Sequence, residues 1–386
     1  MTRPKIQDRV LLTLCCAGAV ALAFGGFVIH ADNRLANGAA LAFWRAPWPN
    51  AGLIIAALTA LFAFSFAAPQ KPRAWATLLA GAALFFACLA GAGHFADLLA
   101  ASARLAARSS LGPGFWIAIA VALLAMLNGA QRAGLSLARG AMLAAALAAG
   151  FALMAHEGAF ANLALAREFS AHRAEFAQQL WRHLELVGAG VILALIFSLP
   201  LTALALRRAG ARGPLFASLG IIQTIPSIAL FGALIAPLSA LGARFPFIRE
   251  AGVTGTGPAP AIIALTLYSL APLVRIFVTG LGEVAPEPKE AAVGLGFDRR
   301  QLFLAVELPL AAPALISGLR VVVIQAIGLA TVAALIGAGG LGVFVFQGIG
   351  QYALDLVLLG AIPVILLALA TDLFFQLLLA SARRRL

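Results

Sequence analysis

Residues 283–320 read EVAPEPKEAAVGLGFDRRQLFLAVELPLAAPALISGLR, a stretch of mixed charge set between two long apolar runs. Pro286 and Pro288 end the incoming helix, because proline lacks the amide donor and its ring crowds the preceding turn. KEAAVGLG then offers a short helix, broken near Gly294 and Gly296. From Arg299 helical spacing resumes, with Leu302, Phe303, Val306 and Leu308 on one apolar side, and Pro309 suits the entry into the next run. The spacing predicts a short helix held between two stiff elements, with the small side chains of Ala291 and Ala292 exposed for close packing. Such a projection fits a groove on a soluble partner: small residues permit approach, glycine permits the return of the chain, and flanking charges set register. On these residues alone, an ordinary structured loop is the favoured alternative.

The flanks of this loop are strongly apolar. The chain is 62% hydrophobic and 11% charged, and its mean hydropathy of +1.00 lies far from that of soluble domains, which need about a quarter of their residues charged. A helix needs about 20 largely apolar residues to cross the bilayer, where each backbone amide must be paired within its own segment. Ten runs meet this criterion approximately: 10–29, 51–68, 74–91, 114–130, 140–156, 183–206, 214–238, 258–282, 309–336 and 355–379. The expected fold class is an all-α integral membrane protein of about ten spans.

The net charge of +12 does not point to nucleic acid, because the basic residues fall as pairs and triplets between apolar runs and form no stripe. They act instead as topology signals. Arg3, Lys5, Arg9, Lys71, Arg73, Arg132, Arg139, Lys289, Arg299, Arg300 and Arg385 fall on one side of the membrane, with Arg207, Arg208 and Arg212. Fewer fall on the other, among them Arg34, Arg104, Arg108, Arg244 and Arg249. The positive-inside rule then places both termini and residues 283–309 in the cytoplasm. Trp44, Trp48, Trp75, Trp116 and Trp181 fall at span ends, where indole prefers the headgroup layer. The first run is expected to be a retained span, since a convincing cleavage site does not follow it.

The chain divides into unlike parts. Residues 1–165 hold five Ala-rich spans. Residues 166–182 are expected to form an interfacial helix, with Leu165, Phe169, Phe176 and Leu180 on its apolar face and Arg167, Glu168, Arg173 and Glu175 elsewhere. Residues 183–386 hold five further spans, the charged loop and a Gly-rich outer loop.

The spacing of Glu290, Ala291 and Ala292, then Gly296, then Val306, Leu308 and Pro309 resembles the EAA loop of ABC-importer permeases, with Val in place of the commoner Ile. The resemblance implies that these residues form a coupling helix docked on a partner ATPase. It extends from residue 183 to the C-terminus through IIQTIPSIALFGALIAPL, PAIIALTLYSLAPLVRIFVTGL and ATVAALIGAGGLG, which resemble the permeases for glycine betaine, choline and related osmoprotectants, and most of all the longer Yeh-type members. It implies a five-helix core of the type I importer class in the bacterial inner membrane, paired with a second permease copy or paralogue. Two ATPase subunits below and an extracytoplasmic binding protein above complete the assembly it implies. An amino-acid importer permease remains an alternative, because the coupling loop does not encode substrate.

Other residues invite sharper interpretations. Gly337, Gly339, Gly340 and Gly342 lack the Lys and Ser or Thr of a phosphate loop, so a close-packed turn near the outer gate is expected. Pro226 is expected to kink the seventh span, and Tyr268 to pack between helices or line the pathway. Arg275 and Asp372 can snorkel toward the cytoplasmic side, whereas Arg320 and Glu185 have no evident partner. His30, His94, His156, His172 and His183 fall near span ends without metal spacing, and Cys15, Cys16 and Cys88 sit inside apolar runs. No metal or cofactor is expected. An ion-driven transporter would need inverted repeats and paired midplane acids, and an intramembrane enzyme a nucleophile with its base; neither pattern is evident. Without a Walker motif, any ATP hydrolysis must come from a partner.

Overall fold

The computed structural model describes residues 6–34, 36–46, 50–68, 70–102, 106–250 and 252–384. Arg3, Lys5, Trp48, Arg104 and Arg385 lie outside them. The chain forms two compact units, Met1–Ala171 and His172–Leu386.

The first unit contains α1 (Arg9–Phe24), β1 (Val28–Ala31), β2 (Ala39–Leu41), α2 (Asn50–Phe66), α3 (Lys71–Ser102), β3 (Arg108–Leu111), α4 (Pro113–Arg132), α5 (Leu137–His156) and α6 (Ala164–Ala171). The five expected spans are all helical, but the first is shorter than the run 10–29. Gly25 and Gly26, the latter at φ +67°, stop the helix, and β-branched Val28 and Ile29 continue as a strand. That strand is the centre of a small antiparallel sheet, order β2-β1-β3, with Ile29 opposite both Ala40 and Ser110. The sheet was not expected; hydropathy cannot distinguish four apolar strand residues from the end of a span. Leu11, Ile54, Leu84, Ala118 and Ala122 are fully buried between α1, α2, α3 and α4.

The predicted interfacial helix is corrected in two respects. It is two helices, since α6 ends at Ala171 and the next helix starts at Arg173. Glu168, expected away from the apolar face, is buried and paired with Arg108 and, at 3.4 Å, with Arg34. Burial of the carboxylate is tolerable because two guanidinium groups meet it.

The second unit contains α7 (Arg173–Arg207), α8 (Ala209–Thr224), α9 (Ser227–Arg244), α10 (Pro246–Glu250), α11 (Pro258–Gly282), α12 (Pro286–Gly294), α13 (Arg299–Leu302), α14 (Leu308–Val332), α15 (Gly342–Gly350) and α16 (Leu354–Arg383). The core is α11 packed on α7 and α14. A Cβ on Gly190 of α7 would come within 2.7 Å of Leu265 Cβ, so the small residue sets the approach of the two helices, and Thr266 Oγ1 donates to the Gly190 carbonyl at 3.3 Å. The run 214–238, expected as one kinked span, is broken into α8 and α9. Pro226 cannot donate an amide and drives Ile225 into extended backbone (φ −73°, ψ 126°), so the helix stops and restarts. Among the described residues, eight helices are long and apolar enough to cross a membrane, and the shorter apolar α1 and α2 account for the other two expected spans.

Candidate functional site

Between α11 and α14 the chain folds into a compact hairpin. Pro286 opens α12 at its first turn, where the missing amide costs nothing. The helix closes with a Schellman arrangement: the Phe297 amide donates to the Ala292 carbonyl at 3.1 Å and the Gly296 amide to the Val293 carbonyl at 2.9 Å, with Gly296 at φ +84°. One residue later Asp298 caps α13. The Gln301 amide donates to Asp298 Oδ1 at 2.7 Å, and Gln301 Oε1 accepts from the Asp298 amide at 2.9 Å, a complete capping box. The D-x-x-Q signature of that cap is legible in the sequence. Lys289 Nζ lies 3.4 Å from Glu307 Oε1 and ties α12 to the incoming end of α14.

Residues 303–307 form a π-helical turn that includes Val306, and Leu308 and Pro309 start α14. Glu290 and Ala291 are exposed on α12, as expected. Ala292 is not: it is 5% exposed, and its carbonyl accepts from the Phe297 amide in the Schellman turn. Val293, Leu295, Phe303 and Leu304 are instead exposed, at 58%, 79%, 39% and 50%. The hairpin therefore exposes large apolar side chains as well as Glu290 and Ala291.

The residues weighed for the pathway fall in two places. Pro226 marks the α8–α9 break, and buried Tyr268 on α11 closes it: its hydroxyl donates to the Ile225 carbonyl, while Gln223 Nε2 donates to the Tyr268 carbonyl at 3.2 Å. The glycines lie elsewhere, in the turn between α14 and α15. Gly337, Gly339 and Gly340 have φ of +76°, +83° and +89°. A Cβ on Gly342 would sit 1.9 Å from the Thr331 carbonyl oxygen, so no larger residue fits there. The turn is held by α7: Gln179 Oε1 accepts from the Gly340 amide at 2.7 Å, and Arg182 Nε donates to the Ala338 carbonyl at 3.3 Å.

His183, expected at a membrane interface, is fully buried beneath this turn, with Nε2 3.1 Å from the Ile327 carbonyl. The neighbouring apolar α14 and the backbone of Gly340 exclude solvent from it. Glu185 pairs with Arg182 at 2.6 Å, and Arg320 pairs with Asp372 at 2.5 Å; Gln376 Nε2 also donates to Asp372. Neither partner was named from the sequence, because one pair is local and exposed and the other joins residues 52 apart.

Residues 190–384 match the family described as binding-protein-dependent transport system inner membrane component, and residues 7–166 match the N-terminal domain of the ABC transporter permease YehY. Among curated proteins, the osmoprotectant import permease protein OsmW of Salmonella typhimurium is 37% identical over 51% of this chain and 86% of its own length. The choline transport system permease protein OpuBB of Bacillus subtilis is 34% identical over 55% of this chain and 88% of its own length. The glycine betaine/carnitine/choline transport system permease protein OpuCB of Bacillus subtilis is 33% identical over 51% and 84%.

Proposed function

The chain belongs to the family of binding-protein-dependent transport system inner membrane components, and from that premise we propose that it carries osmoprotectant quaternary amines, such as glycine betaine and choline, through the bacterial inner membrane. The observation that carries the coupling half of the proposal is the exposed patch on α12, where Glu290 and Ala291 stand beside Val293 and Leu295 in a hairpin rigidified by Schellman and capping-box bonds. A rigid apolar projection transmits force, where a flexible loop would absorb it.

In this scheme α12, with its return through Gly296 and its link to α14 through Val306, Leu308 and Pro309, seats in a groove of a partner ATPase dimer. The permease pairs with a second copy or a paralogue, and an extracytoplasmic binding protein delivers the amine. Closure of the ATPases on ATP draws two such projections together and turns the pathway from inward-open to outward-open. Hydrolysis belongs to the ATPases. In this scheme both termini and α12 lie in the cytoplasm, a placement that the excess of Lys and Arg on that side supports. The Pro226 break, Tyr268 and the turn at Gly337, Gly339, Gly340 and Gly342 are the parts of the second unit that shape the pathway.

The test is uptake by vesicles holding the permease with its ATPase and binding protein. ATP-dependent accumulation of radiolabelled choline or glycine betaine, unaffected by excess histidine, is the expected result. Accumulation of an amino acid in preference to both would replace the substrate assignment, and uptake driven by an ion gradient without ATP would remove the importer itself.

A further inference from the structure

One end of the first unit carries a polar cavity of about 230 Å³ that the transport scheme leaves unused. Its walls come from the residue that caps α1, the start of α3 and the end of α4: Asp8, Gln70, Lys71, Arg73, Thr77 and Arg132. Asp8 is 2% exposed and already committed. Its Oδ1 accepts from the Leu11 amide at 3.0 Å, and its Oδ2 lies 2.9 Å from Arg132 Nη2 and 3.9 Å from Arg73 Nη2. Arg73, its side chain only 9% exposed, also donates to the Ala67 carbonyl. Two guanidinium groups thus meet one carboxylate, and Lys71, which lines the same cavity, makes no ion pair among the described residues. The cavity holds an excess of positive charge that an anion would balance.

Its position identifies the kind of anion. The cavity lies at the ends of apolar helices, hence at the level of lipid headgroups. Lys71, Trp75 and Leu79 follow one another at i, i+4 and i+8 on α3, and Trp75 and Leu79 are 46% and 64% exposed. One stripe therefore leads from the cationic cavity to apolar surface that faces lipid. The geometry points to a site for the phosphodiester of an anionic phospholipid, held by Lys71, Arg73 and Arg132, with an acyl chain lying along Trp75 and Leu79. Basic pockets between spans take such headgroups, whereas a zwitterionic choline headgroup brings its own cation and gains less.

The test uses the full-length protein, purified and doped with equal amounts of phosphatidylglycerol and phosphatidylcholine, with bound lipid counted by native mass spectrometry. The expected result is preferential retention of phosphatidylglycerol, reduced roughly fivefold by Lys71→Gln and kept by Lys71→Arg. Lys71 is exposed and makes no ion pair among the described residues, so its replacement leaves the fold intact. On the wild-type protein, a photoactivatable phosphatidylglycerol should label the peptide spanning residues 71–79 more than the matching phosphatidylcholine probe does. Equal retention of the two lipids, no change in Lys71→Gln, or equal labelling would overturn the assignment. Displacement of the lipid by millimolar inorganic phosphate would also overturn it and mark a site for soluble anions.

Discussion

Tyr268 donates its hydroxyl to the carbonyl of Ile225, the residue that Pro226 forces out of the helix. A broken span leaves backbone groups unpaired in lipid, where each costs several kcal/mol, and one side chain of α11 meets the exposed acceptor. Tyr268→Phe keeps the ring and removes only that bond. The expected loss is about 1 kcal/mol of stability, read as a lower midpoint of thermal unfolding in detergent. An unchanged midpoint would mean that the carbonyl finds water or another donor, and that the tyrosine contributes only by packing.

Gly296 combines two requirements that substitution separates. Its φ of +84° is costly for any other residue, yet a Cβ there would meet nothing within 4 Å. Gly296→Ala therefore costs about 1–2 kcal/mol of backbone strain in the hairpin without a clash. Gly296→Trp adds bulk on the exposed face as well. Copurification with the ATPase should weaken in the alanine variant and disappear in the tryptophan variant, while both still insert in the membrane. Full retention of the ATPase by Gly296→Trp would show that this face of the hairpin is not the docking surface.

What was legible in the sequence follows from the range of the interactions involved. Each of the ten apolar runs contains a helix, and α11 has the boundaries predicted for it, because hydropathy and proline act within a few residues. The hairpin was legible for the same reason: EAA, Gly296 and Pro309 act locally. The break at Pro226 was underestimated as a kink, since the outcome depended on Tyr268, 43 residues away, accepting the role of donor. The burial of His183 and Glu168 and the pairing of Arg320 with Asp372 required knowledge of which spans are neighbours, and no local pattern encodes that. The three-stranded sheet was hidden because its strands are four residues or fewer and partly continue an apolar run.

Arg320 and Asp372 join α14 to α16 across an otherwise apolar contact, with side chains 33% and 28% exposed. Breaking the pair should cost more than removing it. Asp372→Asn leaves an unpaired guanidinium and is expected to lower stability by about 1–2 kcal/mol, below the roughly 3–5 kcal/mol of a fully buried pair because both groups are partly exposed. The double replacement Arg320→Met with Asp372→Leu should recover most of that loss. Thermal unfolding of the single and double variants provides the cycle, and additive losses would contradict a coupled pair.

Tyr352 ends α15 in the left-handed region at φ +54°, with 95% of its surface exposed. Its amide donates to the Ile349 carbonyl at 3.2 Å and the Ala353 amide to the Gly348 carbonyl at 2.8 Å, the two bonds of a Schellman turn at the position where glycine is usual. A tyrosine there bears about 1–2 kcal/mol of strain, and so exposed a ring has no packing within the chain to offset it. Tyr352→Gly removes the strain but loosens the unfolded chain, which takes back roughly 0.5–1 kcal/mol. The net expectation is a gain of up to about 1 kcal/mol, with Tyr352→Ala close to wild type because it keeps the strained φ. The measurement is the unfolding midpoint of both variants. A fall in stability for Tyr352→Gly would mean that the ring holds the α15–α16 turn in place through contacts outside this chain, such as lipid or a partner.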